Sequence, residues 1–195
     1  MQKLVFFVGV AGTGKSTVAA KLAAESSVVF LDRDTVGGRF VEALLVAEGL
    51  DPDDRDSEFY KKNLRDLEYK TTEDVCIENL KLGQSVFMIS PFTQELKDRE
   101  WIEELLRKAG RTRSEIDLKV VVVILSDSAE QKERILARGT TRDEWKLEHW
   151  DEYWSNIKFV PEINWELDDR SRLIYDNSGE LTADKLAGIK AFLGF

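Results

Sequence analysis

The chain has 195 residues, of which 43% are hydrophobic and 33% charged, so it has the length of one domain and enough apolar surface for a core. Its net charge of -9 argues against a protein whose main task is to coat nucleic acid, because neutralising phosphates needs a basic face. No apolar run approaches the roughly 18 residues of a membrane-spanning helix, so the sequence predicts no membrane span.

Five short apolar runs predict β-strands, and helix-length amphipathic segments separate them. Strands without polar alternation are buried on both faces, so we predict a parallel sheet with helices above and below it, a three-layer α/β fold in one domain over residues 1–195. The predicted strands are Leu4–Val8, Val28–Leu31, Ser85–Ile89, Leu118–Leu125 and Arg172–Tyr175. The predicted helices are Lys15–Glu25, Thr35–Glu48, Ser57–Lys81, Gln94–Ala109, Ser128–Arg138, Arg142–Ile157 and Leu181–Leu193.

The first predicted strand leads into the motif GVAGTGKST, which matches G-x-x-x-x-G-K-[ST] between a strand and a helix. Glycines let backbone N–H groups surround phosphate oxygens, and the helix N-terminus favours negative charge. The motif predicts a nucleoside triphosphate site in which Lys15 bridges the β- and γ-phosphates and Ser16 ligates Mg²⁺. The residues expected to contact the nucleotide here are Gly9, Gly12, Thr13, Gly14, Lys15, Ser16 and Thr17.

The second predicted strand ends in two carboxylates, in the stretch VVFLDRDTVGG. The period-two geometry of a strand points Asp32 and Asp34 to the same side of the chain, near the phosphate-binding motif. Two such carboxylates can divide the chemistry, one holding magnesium or its water and the other receiving a proton from an attacking hydroxyl. The alternative is a helix N-cap combined with a salt bridge to Arg33. Gly37 and Gly38 indicate either close backbone packing or close approach of a ligand.

The segment 35–81 is long for one crossover between neighbouring strands, and its two helices predict a substrate-binding cap on the carboxyl edge of the sheet. The polar stretch Gly49–Glu58 is expected to hinge these helices. Cys76 falls on the inner face of the second helix, which predicts a small buried residue. Because it is the single cysteine, no intramolecular disulfide can form, and a reducing cytoplasm is the expected setting.

Two other classes of triphosphate-binding protein do not fit the sequence. The stretch DNSG at Asp176–Gly179 matches the D-x-x-G of switch GTPases, but only sixteen residues follow it and none supplies N-K-x-D. A motor ATPase should end a strand with adjacent acidic residues, whereas the third strand here ends with Ser90 and Pro91. Which residue replaces that acid in the magnesium environment is left open by the sequence.

The LDRD pattern after the phosphate-binding motif resembles the D-x-D of shikimate-kinase-like and gluconate-kinase-like enzymes. It also resembles the branch that contains polynucleotide kinase, zeta toxins and chloramphenicol phosphotransferase. The stretch ERILARGTTRDEWKL (133–147) resembles the arginine-bearing lid of that branch, and LIYDNSGE (173–180) resembles its last strand and adenine-side loop. The resemblance implies a P-loop kinase fold with the strand order 2-3-1-4-5, ATP and Mg²⁺ as cofactors, and a lid over about 138–149.

Roles follow from this resemblance residue by residue. Asp34 resembles the general base and acceptor-binding carboxylate, and Asp32 resembles the carboxylate on the magnesium side. Arg138 and Arg142 resemble lid residues that contact the nucleotide and the migrating phosphoryl group, which carries charge that arginines can bind. The alternative for these arginines, and for Arg134, is a solvated helix face with i,i+4 spacing.

Three functions remain open. The first is an ATP-dependent kinase that phosphorylates a hydroxyl of a small molecule, such as a sugar, nucleoside, antibiotic or polyol. The second is a polynucleotide 5′-hydroxyl kinase, which the acidic composition disfavours. The third is a nucleotide-binding regulatory module in which hydrolysis is incidental. The sequence does not distinguish ATP from GTP, name the acceptor or predict an oligomeric state.

Overall fold

The structure is a computed structural model that describes residues 1–195. Its sheet has five strands, all parallel, in the order β2-β3-β1-β4-β5. The strands are β1 (Gln2–Val8), β2 (Val28–Asp32), β3 (Ser85–Ile89), β4 (Ile116–Ile124) and β5 (Arg172–Asp176). The predicted strands, the parallel sheet and the strand order are therefore confirmed.

Nine α-helices connect and cover these strands: α1 (Lys15–Ala24), α2 (Arg33–Val36), α3 (Gly38–Ala47), α4 (Arg65–Lys81), α5 (Arg99–Lys108), α6 (Ser128–Arg138), α7 (Glu144–Glu148), α8 (Trp150–Asn156) and α9 (Ala183–Leu193). A π-helical turn at Tyr60–Leu64 precedes α4, and short 3₁₀ turns lie at Glu95–Lys97, Thr141–Asp143 and Asp169–Ser171. None of the helices has the length and apolar content needed to cross a membrane.

Side chains alternate between the two faces of the central strand and thereby build two separate cores. Phe6 faces the side covered by α4 and α5, whereas Val5 and Phe7 face the side covered by α1 and α9. The first core includes Cys76, which is fully buried as predicted. Burial on both faces explains why β1 reads as an unbroken apolar run rather than as an alternating one.

Three of the predicted helices are interrupted in the structure. The helix predicted at 35–48 begins earlier, at Arg33, and is two helices that meet at Gly37. The helix predicted at 94–109 breaks at Asp98, whose side chain accepts from the backbone N–H of Glu100 and so caps α5. The helix predicted at 142–157 breaks at His149. The helix predicted at 57–81 is continuous from Glu58 to Lys81, with the π-helical turn inside it.

The predicted cap segment, 35–81, contributes to two different packing units. A small core of its own joins Val41 and Leu45 of α3 to Tyr60 and Leu64 of the π-helical turn. The C-terminal half of α4 instead packs into the main core against the sheet. The predicted cap segment is thus held to the sheet through α4, while α3 packs against the π-helical turn.

Candidate active site

The phosphate-binding loop lies between β1 and α1, at the carboxyl edge of the sheet, where the strand order reverses direction. Gly14 has φ +82°, and a Cβ there would lie 2.5 Å from the amide nitrogen of Asn177. Only glycine combines this left-handed conformation with such close approach. Gly9 and Gly12 also leave no room for a Cβ.

Side chains of α6 and of the loop after β5 donate hydrogen bonds to backbone carbonyls of the phosphate-binding loop. The Asn177 side-chain amide donates to the carbonyl of Thr13 at 2.9 Å, and the Gln131 amide donates to the carbonyl of Ala11 at 2.6 Å. Arg134 donates to the carbonyl of Asn177 at 3.0 Å and pairs with Glu130. Arg134 therefore forms an i,i+4 pair, as its alternative predicted, and also contacts the segment that binds the phosphate-binding loop. Sequence reasoning missed Asn177 and Gln131, because buried amides have no recognisable spacing.

The residues expected to contact the nucleotide are placed differently from one another. Thr13 is fully buried and its hydroxyl donates to the carbonyl of Val10 at 3.1 Å, so its side chain stabilises the loop itself. Thr17 is exposed at the start of α1. Lys15 forms no salt bridge, and burial lowers its pKa to about 8 against the opposing attraction of Asp34 and Asp32. An unpaired ammonium at this position suits an incoming phosphate.

Ser16 and Asp32 meet at the magnesium side of the loop. The Ser16 hydroxyl donates to Asp32 Oδ2 at 2.6 Å, while Asp32 Oδ1 accepts from the backbone N–H of Asp34 at 3.1 Å. A hydroxyl and a carboxylate oxygen are the hard donors that Mg²⁺ prefers, and Mg²⁺ commonly takes only one or two protein ligands beside substrate phosphates and water. The donor set present here fits that ion.

Asp34 is positioned by a helix and not, as predicted, by the end of a strand. Strand β2 ends at Asp32, which caps α2, so Asp34 lies in the first helical turn and not on the strand. Both parts of the alternative prediction are present in the structure: Asp32 is the helix N-cap, and Asp34 forms the salt bridge to Arg33. Asp34 accepts from Arg33 Nη2 at 2.6 Å and lies 3.6 Å from Arg142. Burial would raise the pKa of Asp34, but Arg33 and then Arg142 hold it at about 2.

Arg33 connects Asp34 to a buried group on α4. Its Nε lies 3.7 Å from the carboxylate of Glu68, whose side chain is fully buried and accepts from the Tyr60 hydroxyl at 2.7 Å. The Arg33 guanidinium also lies over the ring of Tyr69, 4.8 Å from its centroid. A Cβ on Gly37 would lie 2.8 Å from Glu68 Cγ, so the first glycine of the pair allows close packing and does not meet a ligand.

The segment predicted as a lid (138–149) is organised around a buried carboxylate. Asp143 is 1% exposed and accepts from Lys146 at 2.6 Å, Arg138 at 3.2 Å and the Thr140 hydroxyl at 3.0 Å. Arg138 is thereby held at the cavity wall, and Arg142 reaches across to Asp34. Neither arginine lies on a free helix face. Asp143 is a second group that sequence reasoning missed, since it stood among exposed charges.

One cavity of about 440 Å³ brings these groups together. It is lined by Lys15 and Ser16 from the loop, by Asp32 and Asp34 after β2, by residues of the cap, by Ser90 and Pro91 after β3, and by Arg138, Arg142, Asp143 and Lys146 of the lid. The Ser90 hydroxyl, in the position of the missing acid, donates to the Tyr69 hydroxyl at 3.0 Å. A nucleotide phosphate and a small acceptor could be accommodated in this one space.

The sequence matches a family model described as an AAA domain over residues 4–159. The matched region includes the phosphate-binding loop, both carboxylates after β2 and the lid, whereas Asn177 lies outside it. No curated protein sequence matches the chain.

Several solved structures are similar to this one over nearly its whole length. A protein from Chloroflexus aurantiacus j-10-fl has 20% identity and a TM-score of 0.70, with 99% of this chain and 97% of that chain covered. A sugar kinase from Janibacter sp. HTCC2649 has 13% identity and a TM-score of 0.59, with 100% and 95% covered. A gluconokinase from Sinorhizobium meliloti 1021 has 16% identity and a TM-score of 0.55, with 99% and 91% covered. The likeness confirms a P-loop kinase fold and the predicted resemblance at that level.

Proposed function

The chain belongs to the AAA domain family, and from that premise we propose that it is a phosphotransferase that moves the γ-phosphoryl group of ATP to a hydroxyl of a small molecule. One observation carries the proposal: a single cavity of about 440 Å³ is lined both by Lys15 of the phosphate-binding loop and by the carboxylate of Asp34. A carboxylate beside the phosphate-binding loop can orient the hydroxyl of a second substrate toward the γ-phosphate. Gluconokinase and sugar kinase among the similar structures support an acceptor of metabolite size.

Each group has a defined task in the proposed reaction. Lys15 binds the β- and γ-phosphates, and Asp34 accepts a hydrogen bond from the acceptor hydroxyl so that its oxygen points at phosphorus. The hydroxyl oxygen bonds to the γ-phosphorus while the bond to the β–γ bridging oxygen breaks. The hydroxyl proton passes to Asp34, and ADP leaves.

The lid arginines act on the charge that develops during transfer. The transition state spreads negative charge over the oxygens of the migrating group, and Arg138 and Arg142 line the same cavity as Lys15. Arg142 exchanges its contact with Asp34 for one with the phosphoryl group. Asp143 keeps Arg138 in place throughout.

Mg²⁺ would be held by Ser16 and Asp32 together with phosphate oxygens, where it would neutralise charge on the phosphates. The Ser16–Asp32 hydrogen bond of 2.6 Å supports that assignment, because it keeps both oxygen donors beside the phosphate-binding loop.

The test is transfer of label from γ-labelled ATP with Mg²⁺ to a pooled metabolite extract and to a 5′-hydroxyl oligonucleotide. We expect a labelled small molecule, a loss of about 10²–10⁴-fold in turnover for Asp34→Asn, and a loss of transfer for Lys15→Ala. Asp74→Asn, which removes an exposed carboxylate from α4, is the matched control and should transfer normally.

Three results would contradict the proposal in different ways. Label on the oligonucleotide would favour a polynucleotide 5′-hydroxyl kinase. ATP binding that is lost only in Lys15→Ala, without transfer to either acceptor, would favour a regulatory module. Undiminished transfer by Asp34→Asn would leave the kinase activity standing but remove Asp34 from the chemistry.

A further inference from the structure

The cavity is locally basic although the protein as a whole is acidic. Its lining contains eight lysine and arginine side chains against four aspartates, while the chain has a net charge of -9. Four of these cations lie in the phosphate-binding loop and the lid, where the nucleotide accounts for them. The other four come from α2 and the cap, on the acceptor side: Arg33, Arg55, Lys61 and Arg65.

Most cavity cations already have a carboxylate partner within 4.0 Å. Arg65 pairs with Glu95 at 3.0 Å, and Lys61 lies 4.0 Å from Asp56. Similar partners exist for Arg33, Arg138, Arg142 and Lys146. The two cations without one are Lys15 and Arg55. Lys15 is unpaired where the nucleotide phosphates bind, and Arg55 is the corresponding unpaired cation on the cap.

Arg55 also has unused hydrogen-bonding capacity. Its Nη1 donates to the carbonyl of Pro52 at 2.9 Å, and its guanidinium lies over the ring of Tyr60, 5.4 Å from the centroid. Its Nε is buried and has no hydrogen-bond partner. Its Nη2 forms no hydrogen bond within the protein, so this donor is available to an anion in the cavity.

The chain around Arg55 holds it in position. Asp54 Oδ1 accepts from the backbone N–H groups of Asp56 at 2.9 Å and Ser57 at 2.8 Å, which closes a turn at this point. The Ser57 hydroxyl in turn accepts from the backbone N–H of Tyr60 at 3.1 Å. These bonds fix the backbone at Arg55, and the contacts with the Pro52 carbonyl and the Tyr60 ring orient its guanidinium before any ligand binds, which lowers the entropic cost of binding.

We propose that Arg55 binds an anionic group of the acceptor, so that the acceptor is an alcohol that already bears a phosphate or a carboxylate and is not a neutral sugar, nucleoside or polyol. The inference rests on the proposed function and narrows its substrate class. A guanidinium binds either anion through paired hydrogen bonds. Lys61 adds positive charge on the same wall of the cavity.

The test separates acceptors by charge. A metabolite extract is divided by anion exchange into neutral and anionic fractions, and each is offered to the protein with γ-labelled ATP and Mg²⁺. We expect transfer in the anionic fraction only, with kcat/KM lowered at least tenfold by Arg55→Gln. Arg39→Gln removes an exposed arginine of α3 that neither lines the cavity nor forms a salt bridge, and it should change kcat/KM less than twofold.

The outcomes distinguish this inference from the function on which it rests. Lys15-dependent transfer to a neutral compound would overturn the anionic acceptor while leaving the kinase proposal intact. Absence of Lys15-dependent transfer in any fraction would overturn both. To identify the anion, the anionic fraction is treated with phosphatase, and the phosphatase is removed before labelled ATP and the protein are added. Labelling that is then lost indicates a phosphate on the acceptor, and labelling that persists indicates a carboxylate.

A binding measurement tests Arg55 without turnover. With a non-hydrolysable ATP analogue occupying the phosphate-binding loop, inorganic phosphate and acetate are titrated in turn by calorimetry. Arg55→Gln should weaken binding of at least one of these anions about tenfold, as expected for the loss of one charge-assisted contact, and Arg39→Gln should not. Equal affinities in all three proteins would overturn the assignment of Arg55.

Discussion

Replacing Asp143 by asparagine tests the anchoring of the lid. The substitution keeps the size of the side chain but removes the charge that holds Arg138 and Lys146. Loss of one member of a buried ion pair costs about 3–5 kcal/mol, whereas exposed pairs contribute about 0–1 kcal/mol. Asp143 is 1% exposed, but its partners are 32% and 22% exposed and can regain water. We therefore expect a loss of about 2 kcal/mol in the free energy of unfolding.

Urea unfolding measures that loss. With an m-value of about 2 kcal/mol/M, the midpoint should fall by about 1 M, and the KM for ATP should rise because Arg138 is no longer positioned. Asp151→Asn, an exposed carboxylate on α8, is the matched control and should shift the midpoint little. If Asp143→Asn unfolds at the same urea concentration as that control, the buried carboxylate does not anchor the lid.

The same carboxylate gives the effect a pH dependence with a definite sign. Burial would raise the pKa of Asp143, but the hydrogen bond and charge of Lys146, and then Arg138, lower it below its ordinary value of 3.8. A carboxyl group with a lowered folded-state pKa stabilises the protein fully above its unfolded-state pKa and loses that contribution as the pH falls through the folded-state pKa. The stability difference between the native protein and Asp143→Asn should therefore be constant near neutrality and shrink below about pH 4.

Two paired glycine substitutions test the close contacts of the site. Gly37→Ala places a Cβ 2.8 Å from the buried glutamate of α4, whereas Gly38→Ala meets nothing nearer than 4.0 Å, so urea unfolding should show a loss of about 1–3 kcal/mol for the first only. Equal effects would mean that the contact relaxes without cost. Gly14→Ala and Gly110→Ala both put alanine at a positive φ, but only the first collides with Asn177, at 2.5 Å. Both should be destabilised by about 1–2 kcal/mol, and calorimetric ATP titration should show reduced affinity for Gly14→Ala alone. Unchanged ATP affinity in Gly14→Ala would show that the loop adjusts.

The three inner strands β1, β3 and β4 were predictable because they are buried on both faces and therefore have nearly unbroken apolar runs, as in β1 with Phe6 and Phe7 on opposite faces. The edge strands β2 and β5 are partly exposed, although their sequences contain similar apolar runs. Helix interruptions were not predictable from periodicity, since the breaks at Gly37 and His149 leave the apolar pattern on either side intact. The phosphate-binding loop is recognisable because its chemistry requires a fixed local spacing.

Residues that act through tertiary contacts left no such signal. Asn177 contacts Thr13 across 164 positions of the chain, and Glu68 reaches Arg33 from another helix. Arg55 lies in a polar stretch whose sequence predicts only a hinge. That it has no carboxylate partner can be seen only once the positions of all the cavity cations are known. Spacing in one sequence can reveal groups that bind the same ligand from one loop, but not groups brought together by folding.

The three charged residues after β2, Asp32, Arg33 and Asp34, are positioned in part by residues of the cap segment. If β2 continued, the Arg33 side chain would point away from both carboxylates, because side chains alternate along a strand. Because α2 begins at Arg33 instead, the three charged side chains point to different neighbours. Asp32 turns to Ser16, Arg33 to Glu68 and the ring of Tyr69, and Asp34 to the cavity. With its pKa held at about 2, Asp34 is a weak base that stays ionised. In a loose phosphoryl transition state, little proton transfer from the hydroxyl is needed before the new bond forms. An ionised carboxylate that orients the hydroxyl is therefore sufficient. Arg33 therefore contributes to the proposed reaction by keeping Asp34 charged and directed.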